Sequence, residues 1–211
     1  MILFGTTNQA KLHKMQECLS PLGIKLLGLN DLKQPLPEVV ETGNSPLENA
    51  KIKAAAYYAA FKKPVFSCDS GLYFCGLPKD LQPGVHVRNV KGKRLSDKEM
   101  LCYYGGLAQT YGDLTAYYQN AICFVLDENT SYESMDDSLR GDDFRITSRP
   151  HERMDAGFPL DSLSVHIKSG KYYYDLKDYK TGSMDKGFQD FFRTIIIKER
   201  LKRRGKFASI L

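Results

Sequence analysis

The stretch PVFSCDSGL, residues 64–72, is an apolar run that ends in a carboxylate, a hydroxyl and a glycine. It follows two lysines and has the composition of a buried β-strand. Open α/β sheets bind ligands just beyond the carboxyl ends of their strands, so Asp69 and Ser70 stand where a ligand would bind. The alternative is that these residues form an ordinary turn, because aspartate, serine and glycine are common in turns.

The residues before this strand alternate between strand and helix patterns. They predict a strand over residues 1–6, a helix capped by Thr7-Asn8 and closed by Pro21 and Gly23, a strand over 24–29, a loop over about 30–44, and a helix from a capping box at Ser45 to about Lys62. This order of elements predicts an α/β domain with a mixed or parallel sheet.

The second half of the chain continues the α/β pattern. It predicts a loop over 76–94, a helix that begins at a capping box over 96–99 and ends near Gly105-Gly106 or Gly112, strands over 114–126, 144–148 and 162–175, and a closing helix over 185–204. With no internal repeat or low-complexity linker, we expect a single domain over 1–211, with two lobes around a central cleft.

The composition is that of a soluble globular protein. The chain has 211 residues, of which 42% are hydrophobic and 26% charged. No apolar run approaches the roughly 20 residues of a membrane span, and the first residues lack the features of a signal peptide. The five cysteines are odd in number and scattered, which favours reduced thiols over a disulfide framework or a zinc site. We therefore expect a cytoplasmic protein with no membrane contact.

Part of the net charge of +5 lies in the basic run over residues 198–206. A solvated helix end is the favoured interpretation, because cations also suit the helix dipole there. A nucleic-acid patch is the alternative, but no base-stacking aromatic residues are interleaved with these charges. Nucleic acid is therefore an unfavoured partner.

The first polar cluster is TTNQAK, residues 6–11, at a predicted strand-to-helix junction. Free backbone N–H groups and the helix dipole make such a junction an anion site, and Lys11 can reach a phosphate there. The alternative is that Thr7 or Asn8 only caps the helix and that Lys11 is solvated.

Two further clusters carry charge. Glu48 is best explained as a capping-box residue, whereas Glu41 lies in a loop without such a role and could bind a hard cation. Lys53 lies on a different helix face from Glu48 and either points to solvent or projects a positive charge into a cleft. A carboxylate such as Asp69 could hold Mg²⁺ or orient an attacking water, and both tasks suit phosphoryl chemistry.

The last cluster is AGFPLD, residues 156–161, in which Phe158 either stacks on a nucleobase or packs within its loop.

The sequence contains no motif for two other kinds of catalytic site. The sequence contains no G-x-S-x-G nucleophile elbow, and its four histidines have no metal-ligand spacing.

Taken in order, these clusters resemble the inosine triphosphate pyrophosphatase family, also called Ham1-like. The similarity rests on TTNQAK at 6–11, ETG at 41–43, LENAKIKA at 47–54, DSGL at 69–72 and LQPGV at 81–85. It implies an elongated mixed sheet with flanking helices around a nucleotide-binding cleft, in a homodimer. It also implies Mg²⁺-dependent hydrolysis of a nucleoside triphosphate, such as a non-standard purine nucleotide, to the monophosphate and pyrophosphate.

The resemblance also implies roles for individual residues. Asp69 and Lys53 would be catalytic, with Asp69 activating water, and Glu41 and Asp69 would bind the metal. The substrate would be bound by Thr6, Thr7, Asn8, Lys11, Ser70, Phe158 and Asp161.

Three positions depart from the family pattern. Cys68 stands where a second acidic residue is expected, the loop at 156–161 lacks a second glycine and its following aromatic, and residues 180–193 contain no Ser-His-Arg motif. These departures keep an alternative open, in which the chain binds a nucleotide as a sensor or scaffold without turnover.

Overall fold

The structure is a computed structural model that describes the backbone of residues 1–176 and 183–208 and the side chains of residues 1–176 and 184–202. The described chain forms two compact units. Unit 1 comprises residues 1–69, 120–139 and 183–208, and unit 2 comprises residues 70–119 and 140–176.

Unit 1 begins with the predicted alternation of strands and helices. Its elements are β1 (Ile2–Phe4), α1 (Gln9–Leu19), β2 (Leu26–Gly28), α2 (Pro46–Phe61), the first half of β3 (Val65–Phe74), the second half of β6 (Leu114–Asp127), β7 (Thr130–Ser134) and α4 (Ser183–Ala208). Strand β1 pairs in parallel with β2 and β3, and β6 pairs antiparallel with β7. The predicted α/β class with a mixed sheet is confirmed.

The core of unit 1 lies between the sheet and helices α1 and α4. Phe4 and Phe66 stack with ring centroids 4.6 Å apart, and Phe192 of α4 meets Phe66 edge-on at 5.2 Å. Leu12 and Leu19 of α1 are buried in the same cluster, as their helical spacing predicted.

Unit 2 contains the second half of β3, the first half of β6 and a helix packed on them. Its other elements are β4 (Asn89–Val90), β5 (Lys93–Arg94), α3 (Asp97–Tyr111), β8 (Phe144–Ile146) and β9 (Ser164–Val165). Strand β8 pairs antiparallel with β6 and with β9. Tyr104 of α3 is fully buried against this sheet, and its hydroxyl donates to the carbonyl of Val87 at 2.7 Å.

The cap signals of α3 are confirmed in detail. Ser96 Oγ accepts from the N–H of Glu99, and the Glu99 carboxylate accepts from the N–H of Ser96 at 2.8 Å. Of the two predicted ends, the helix uses Gly112, which has φ 83° and lies in the region that glycine adopts without strain.

Two strand predictions were wrong. Strand β3 does not end at Asp69 but continues to Phe74, because Leu72 and Phe74 are buried in the core of unit 2. The stretch 162–175 is not a strand beyond β9, because the backbone turns back at Gly170 with φ 67°. Short 3₁₀ turns at Pro159–Leu163 and Tyr173–Asp175 occupy the two ends of this stretch.

Candidate active site

The candidate site lies in unit 1, where α2 packs on one face of β3. Side chains every fourth residue along α2 share one helix face; they are Asn49, Lys53, Tyr57 and Phe61. Alternate residues of β3 face them, beginning with Val65 against Phe61 and reaching Asp69 beside Asn49 and Lys53. The match is geometric, because four helical residues rise about 6 Å and two strand residues about 6.6 Å.

Lys53 is the centre of a three-residue charge cluster. Its Nζ donates to Asp69 Oδ1 at 2.9 Å and lies 2.8 Å from Glu41 Oε2. Burial by itself would lower the pKa of Lys53, but the charge of Asp69 and the hydrogen bonds to both carboxylates outweigh it and raise the pKa above 10.5. The side chain is 13% exposed and carries a fixed positive charge. The alternative of a solvated surface lysine is wrong.

The second oxygen of Asp69 is also held. Asn49 Nδ2 donates to Asp69 Oδ2 at 3.1 Å, so each carboxylate oxygen has its own donor. Sequence reasoning missed Asn49. A signal existed in principle, because asparagine is a poor helix former and occurs here inside a helix, four residues before Lys53.

The cap of α2 differs from the prediction in one bond. Ser45 Oγ accepts from the N–H of Glu48 as expected, but the Glu48 carboxylate accepts from the N–H of Asn44 at 2.6 Å rather than from that of Ser45. The box is therefore not reciprocal. Glu48 still acts at the helix N-terminus, and Glu41 has the ion pair with Lys53 that the sequence did not reveal.

The turn between β1 and α1 begins beside the same strand. Gly5 N–H donates to the carbonyl of Phe66 in β3 at 2.8 Å. Phe66 precedes Asp69 by three residues, so the turn starts close to Asp69 along β3. Asn8 is the helix cap, since its Oδ1 accepts from the N–H of Lys11 at 3.0 Å, and Thr6 Oγ1 accepts from the N–H of Asn8. Thr7 and the side chain of Lys11 are exposed.

Cys68 points to the opposite face of β3 and contacts the core formed by α1 and α4. Burial raises the pKa of its thiol to about 12. The thiol is therefore neutral at physiological pH and supplies no anionic ligand, in contrast to the acidic residue that the family pattern predicts there.

The remaining predicted site residues belong to unit 2. Ser70 is half-buried in β3. Phe158 is half-buried and Asp161 exposed, and the N–H of Asp161 donates to the carbonyl of Phe158 at 3.1 Å. Gly157 beside them has φ 85°, and its N–H donates to Asp97 Oδ2 at 2.9 Å. The loop is thus anchored at its backbone, and the role of its side chains stays a prediction.

Other site classes have no support in the described residues. All five cysteines carry free thiols, as predicted. Residues 1–176 and 183–208 contain no cluster of three or more histidine, cysteine or acidic side chains arranged to hold a metal. Within the same ranges, every helix is too short or too polar to cross a membrane.

Comparison with known proteins gives the family. The model of the Ham1 family matches residues 2–178. The chain belongs to the Ham1 family. The resemblance inferred from the sequence motifs is thereby confirmed.

Curated relatives and solved structures agree with this membership. A dITP/XTP pyrophosphatase of Leptospira interrogans is 34% identical over 87% of this chain and 89% of its own length. A dITP/XTP pyrophosphatase of Rhodopseudomonas palustris is 32% identical over 58% of this chain and 59% of its own. Among structures, a Ham1 protein of Staphylococcus aureus shares the fold of this Ham1-family chain with a TM-score of 0.70 at 21% identity, over 94% of this chain and 98% of the other.

Proposed function

We propose that this Ham1-family chain hydrolyses a nucleoside triphosphate to the monophosphate and pyrophosphate in a Mg²⁺-dependent reaction. That the chain is a hydrolase of the triphosphate anhydride follows from its family and from relatives named dITP/XTP pyrophosphatase. Those names also support a deaminated purine nucleotide as the substrate class. The specific residue roles rest on the geometry of the site.

The observation that best supports this function is the charge cluster in which Lys53 of α2 contacts the carboxylates of Asp69 and Glu41. A triphosphate is highly charged, and attack by water adds charge to the phosphorus that is transferred. Two carboxylates already hold the Lys53 ammonium in place, so it can stabilise that charge with little reorganisation of the site. Lys11 and the backbone N–H groups at the start of α1, which follows the neighbouring strand β1, would hold the phosphates.

Asp69 would act as the base. Its carboxylate is held through both oxygens by Lys53 and Asn49, so its direction is set before substrate arrives. A lone pair of Asp69 would take the proton of the attacking water as the phosphorus–oxygen bond forms. The pyrophosphate leaving group departs from the opposite side.

Glu41 and Asp69 also fit a divalent metal. Their carboxylate oxygens both lie within 2.9 Å of the same ammonium nitrogen, and carboxylate oxygen is the donor that Mg²⁺ prefers. Mg²⁺, when bound, would neutralise charge on the phosphate oxygens. Cys68 would not take part, because its thiol is neutral.

The alternative is a nucleotide-binding sensor or scaffold without turnover. The observation that favours it is the same neutral Cys68 thiol, which leaves this part of the strand one anionic ligand short of the family pattern. This alternative predicts stabilisation by a nucleotide without pyrophosphate release. At a ligand concentration one hundredfold over the dissociation constant, the stabilisation would be about 2.7 kcal/mol.

The test is pyrophosphate release from a panel of standard and deaminated nucleoside triphosphates with Mg²⁺, for wild type, Asp69→Asn and Asp80→Asn. We expect release by wild type and by Asp80→Asn, which changes an exposed carboxylate of unit 2, and loss of release in Asp69→Asn. Full activity in Asp69→Asn would overturn the proposed role. If no nucleotide of the panel gives pyrophosphate release but one of them stabilises the protein thermally, the sensor alternative is favoured.

Two further parts of the proposal concern partners and location. We expect a homodimer in a cytoplasmic setting, and light scattering of the purified protein tests the dimer directly. Nucleic-acid binding by the basic end of α4 stays unfavoured, because Lys202 is engaged with Glu199 at 2.8 Å. Part of the basic run lies outside the described side chains.

A further inference from the structure

Asn49 is a buried amide that is bonded at both ends. The residue is 4% exposed. Its Oδ1 accepts from the N–H of Gly43 at 2.8 Å, and its Nδ2 donates to Asp69 Oδ2 at 3.1 Å. The two partners lie on different segments, the loop before α2 and strand β3, so a single side chain ties both to the helix.

The chemistry of the two partners requires an amide. The Gly43 N–H needs an acceptor and the Asp69 carboxylate needs a donor, and an asparagine side chain presents one of each at its two ends. An aspartate would keep the acceptor but set two carboxylates against each other. A leucine would remove both bonds, so that the Gly43 N–H would lose its acceptor and Asp69 Oδ2 its donor, while Asp69 Oδ1 would keep its bond to Lys53.

The loop is shaped to let Asn49 approach. A Cβ on Gly43 would lie 2.6 Å from Asn49 Oδ1 and 2.6 Å from Glu48 Cβ, which is closer than non-bonded atoms pack. Only glycine therefore allows this bond without a shift of the backbone. Gly43 follows Glu41 by two residues, so the bond that fixes Gly43 also restrains the carboxylate that reaches Lys53.

We propose that Asn49 is a positioning residue for the hydrolysis, which orients the carboxylate of Asp69 and holds the Glu41 loop beside Lys53. The inference rests on the proposed function of this site. Asn49 does not touch the reacting atoms. It sets the direction of the Asp69 lone pair and the position of Glu41 in a single hydrogen-bond chain from Gly43 to Asp69.

The test compares Asn49→Asp and Asn49→Leu, which separate the two bonds. Asn49→Asp keeps the acceptor for Gly43 and loses the donor to Asp69, whereas Asn49→Leu loses both. We expect kcat to fall about 10²-fold in each variant with KM changed less than threefold, because misplacement of a reacting group costs on this order. Hydrogen exchange at the Gly43 amide should stay slow in Asn49→Asp and become fast in Asn49→Leu.

Asn44→Asp is the matched control, since it adds the same charge at an exposed position of the same loop. It should keep wild-type kcat. A merely structural role of Asn49 predicts lower thermal stability with kcat per folded molecule unchanged, and that result would overturn the proposal. So would slow exchange at Gly43 in a folded Asn49→Leu variant.

Loss of the proposed hydrolysis and loss of the Asn49 role give different experimental results. If wild type releases no pyrophosphate from any nucleotide, the proposed function fails and so does the catalytic part of this inference. The exchange contrast between the two variants does not need turnover, and it alone decides whether Asn49 holds the loop. Should Asn49→Leu fail to fold, the kcat of Asn49→Asp against Asn44→Asp still decides the positioning of Asp69.

Discussion

Lys53 of α2 and Asp69 of β3 form an ion pair at 2.9 Å, and the same ammonium group lies 2.8 Å from Glu41. The pair joins a helix and a strand whose residues are 16 positions apart in sequence. Both side chains of the pair are largely buried, so it is more than a surface contact, because removal of Lys53 would leave the Asp69 carboxylate without a compensating charge.

Replacing Lys53 by methionine should therefore affect both activity and stability. The variant keeps the apolar stem and leaves Asp69 and Glu41 facing each other without a cation. We expect turnover to fall on the order of 10²–10³-fold, as for loss of one electrostatic stabiliser of a transition state. The free energy of unfolding should fall by about 3 kcal/mol, measured by urea denaturation.

The control for this prediction is Lys51→Met on the same helix. Lys51 pairs with Glu133 at 2.8 Å, but both side chains are exposed, and such pairs contribute about 0–1 kcal/mol. Its turnover and stability should stay close to wild type. Equal losses in the two variants would mean that the Lys53 cluster has no special role.

Ser67 presents a buried hydroxyl beside Gly5. Within the part of the chain that the structure describes, its Oγ has no hydrogen-bond partner. Ser67→Ala should raise the free energy of unfolding by up to about 1 kcal/mol, because an unsatisfied buried hydroxyl is costly. The urea midpoint measures the change.

Ser162→Ala is the matched control for Ser67→Ala. Ser162 is equally buried, but its hydroxyl donates to the carbonyl of Pro159 at 2.7 Å. Its loss should lower stability by about 1 kcal/mol. A loss of stability in Ser67→Ala as large as that in Ser162→Ala would show that the Ser67 hydroxyl has a partner in solution.

Two buried thiols should make stability depend on pH in the alkaline range. Burial raises the pKa of Cys18 to about 12 and that of Cys123 to about 11, from the ordinary value of 9.0. The unfolded chain therefore loses these protons first, so their contribution is fully present below about pH 9 and is lost as the pH rises towards 11 to 12. The slope is at most about 1.4 kcal/mol per pH unit for each thiol.

The measurement for the thiols is the free energy of unfolding of wild type minus that of Cys18→Ala or Cys123→Ala, followed from pH 8 to 11. This difference should be constant near pH 8 and shrink above pH 9, because alanine does not titrate. A difference that stays constant from pH 8 to 11 for both variants would contradict the prediction.

Local signals in the sequence predicted much of the fold. The caps at Asn8, Ser45 and Ser96 are short-range hydrogen bonds between neighbours in sequence, so their residue types suffice to predict them. Strand β3 was predicted too short because Asp69, Ser70 and Gly71 are turn formers by composition, whereas the burial of Leu72 beyond them depends on tertiary packing.

The site shows the same division. Lys53, Asp69 and Glu41 were each predicted as site residues from the sequence, but their mutual contacts join segments that no local pattern relates. Asn49 was not predicted, because its hydrogen bonds join the helix to Gly43 in the preceding loop and to Asp69 in strand β3. Long-range hydrogen-bond chains of this kind require the fold before they can be recognised.

Phe158→Ala tests the predicted base loop of unit 2. Phe158 is half-buried, in a loop whose backbone is anchored through Asp161 and Gly157, so loss of the ring should leave the loop in place. If the ring stacks on the base, KM for the best nucleotide should rise about tenfold with kcat reduced less than threefold, because stacking contributes about 1–3 kcal/mol per base. Steady-state kinetics with Phe158→Leu as a packing control measure this, and equal KM values in wild type and both variants would mean that Phe158 only packs within its loop.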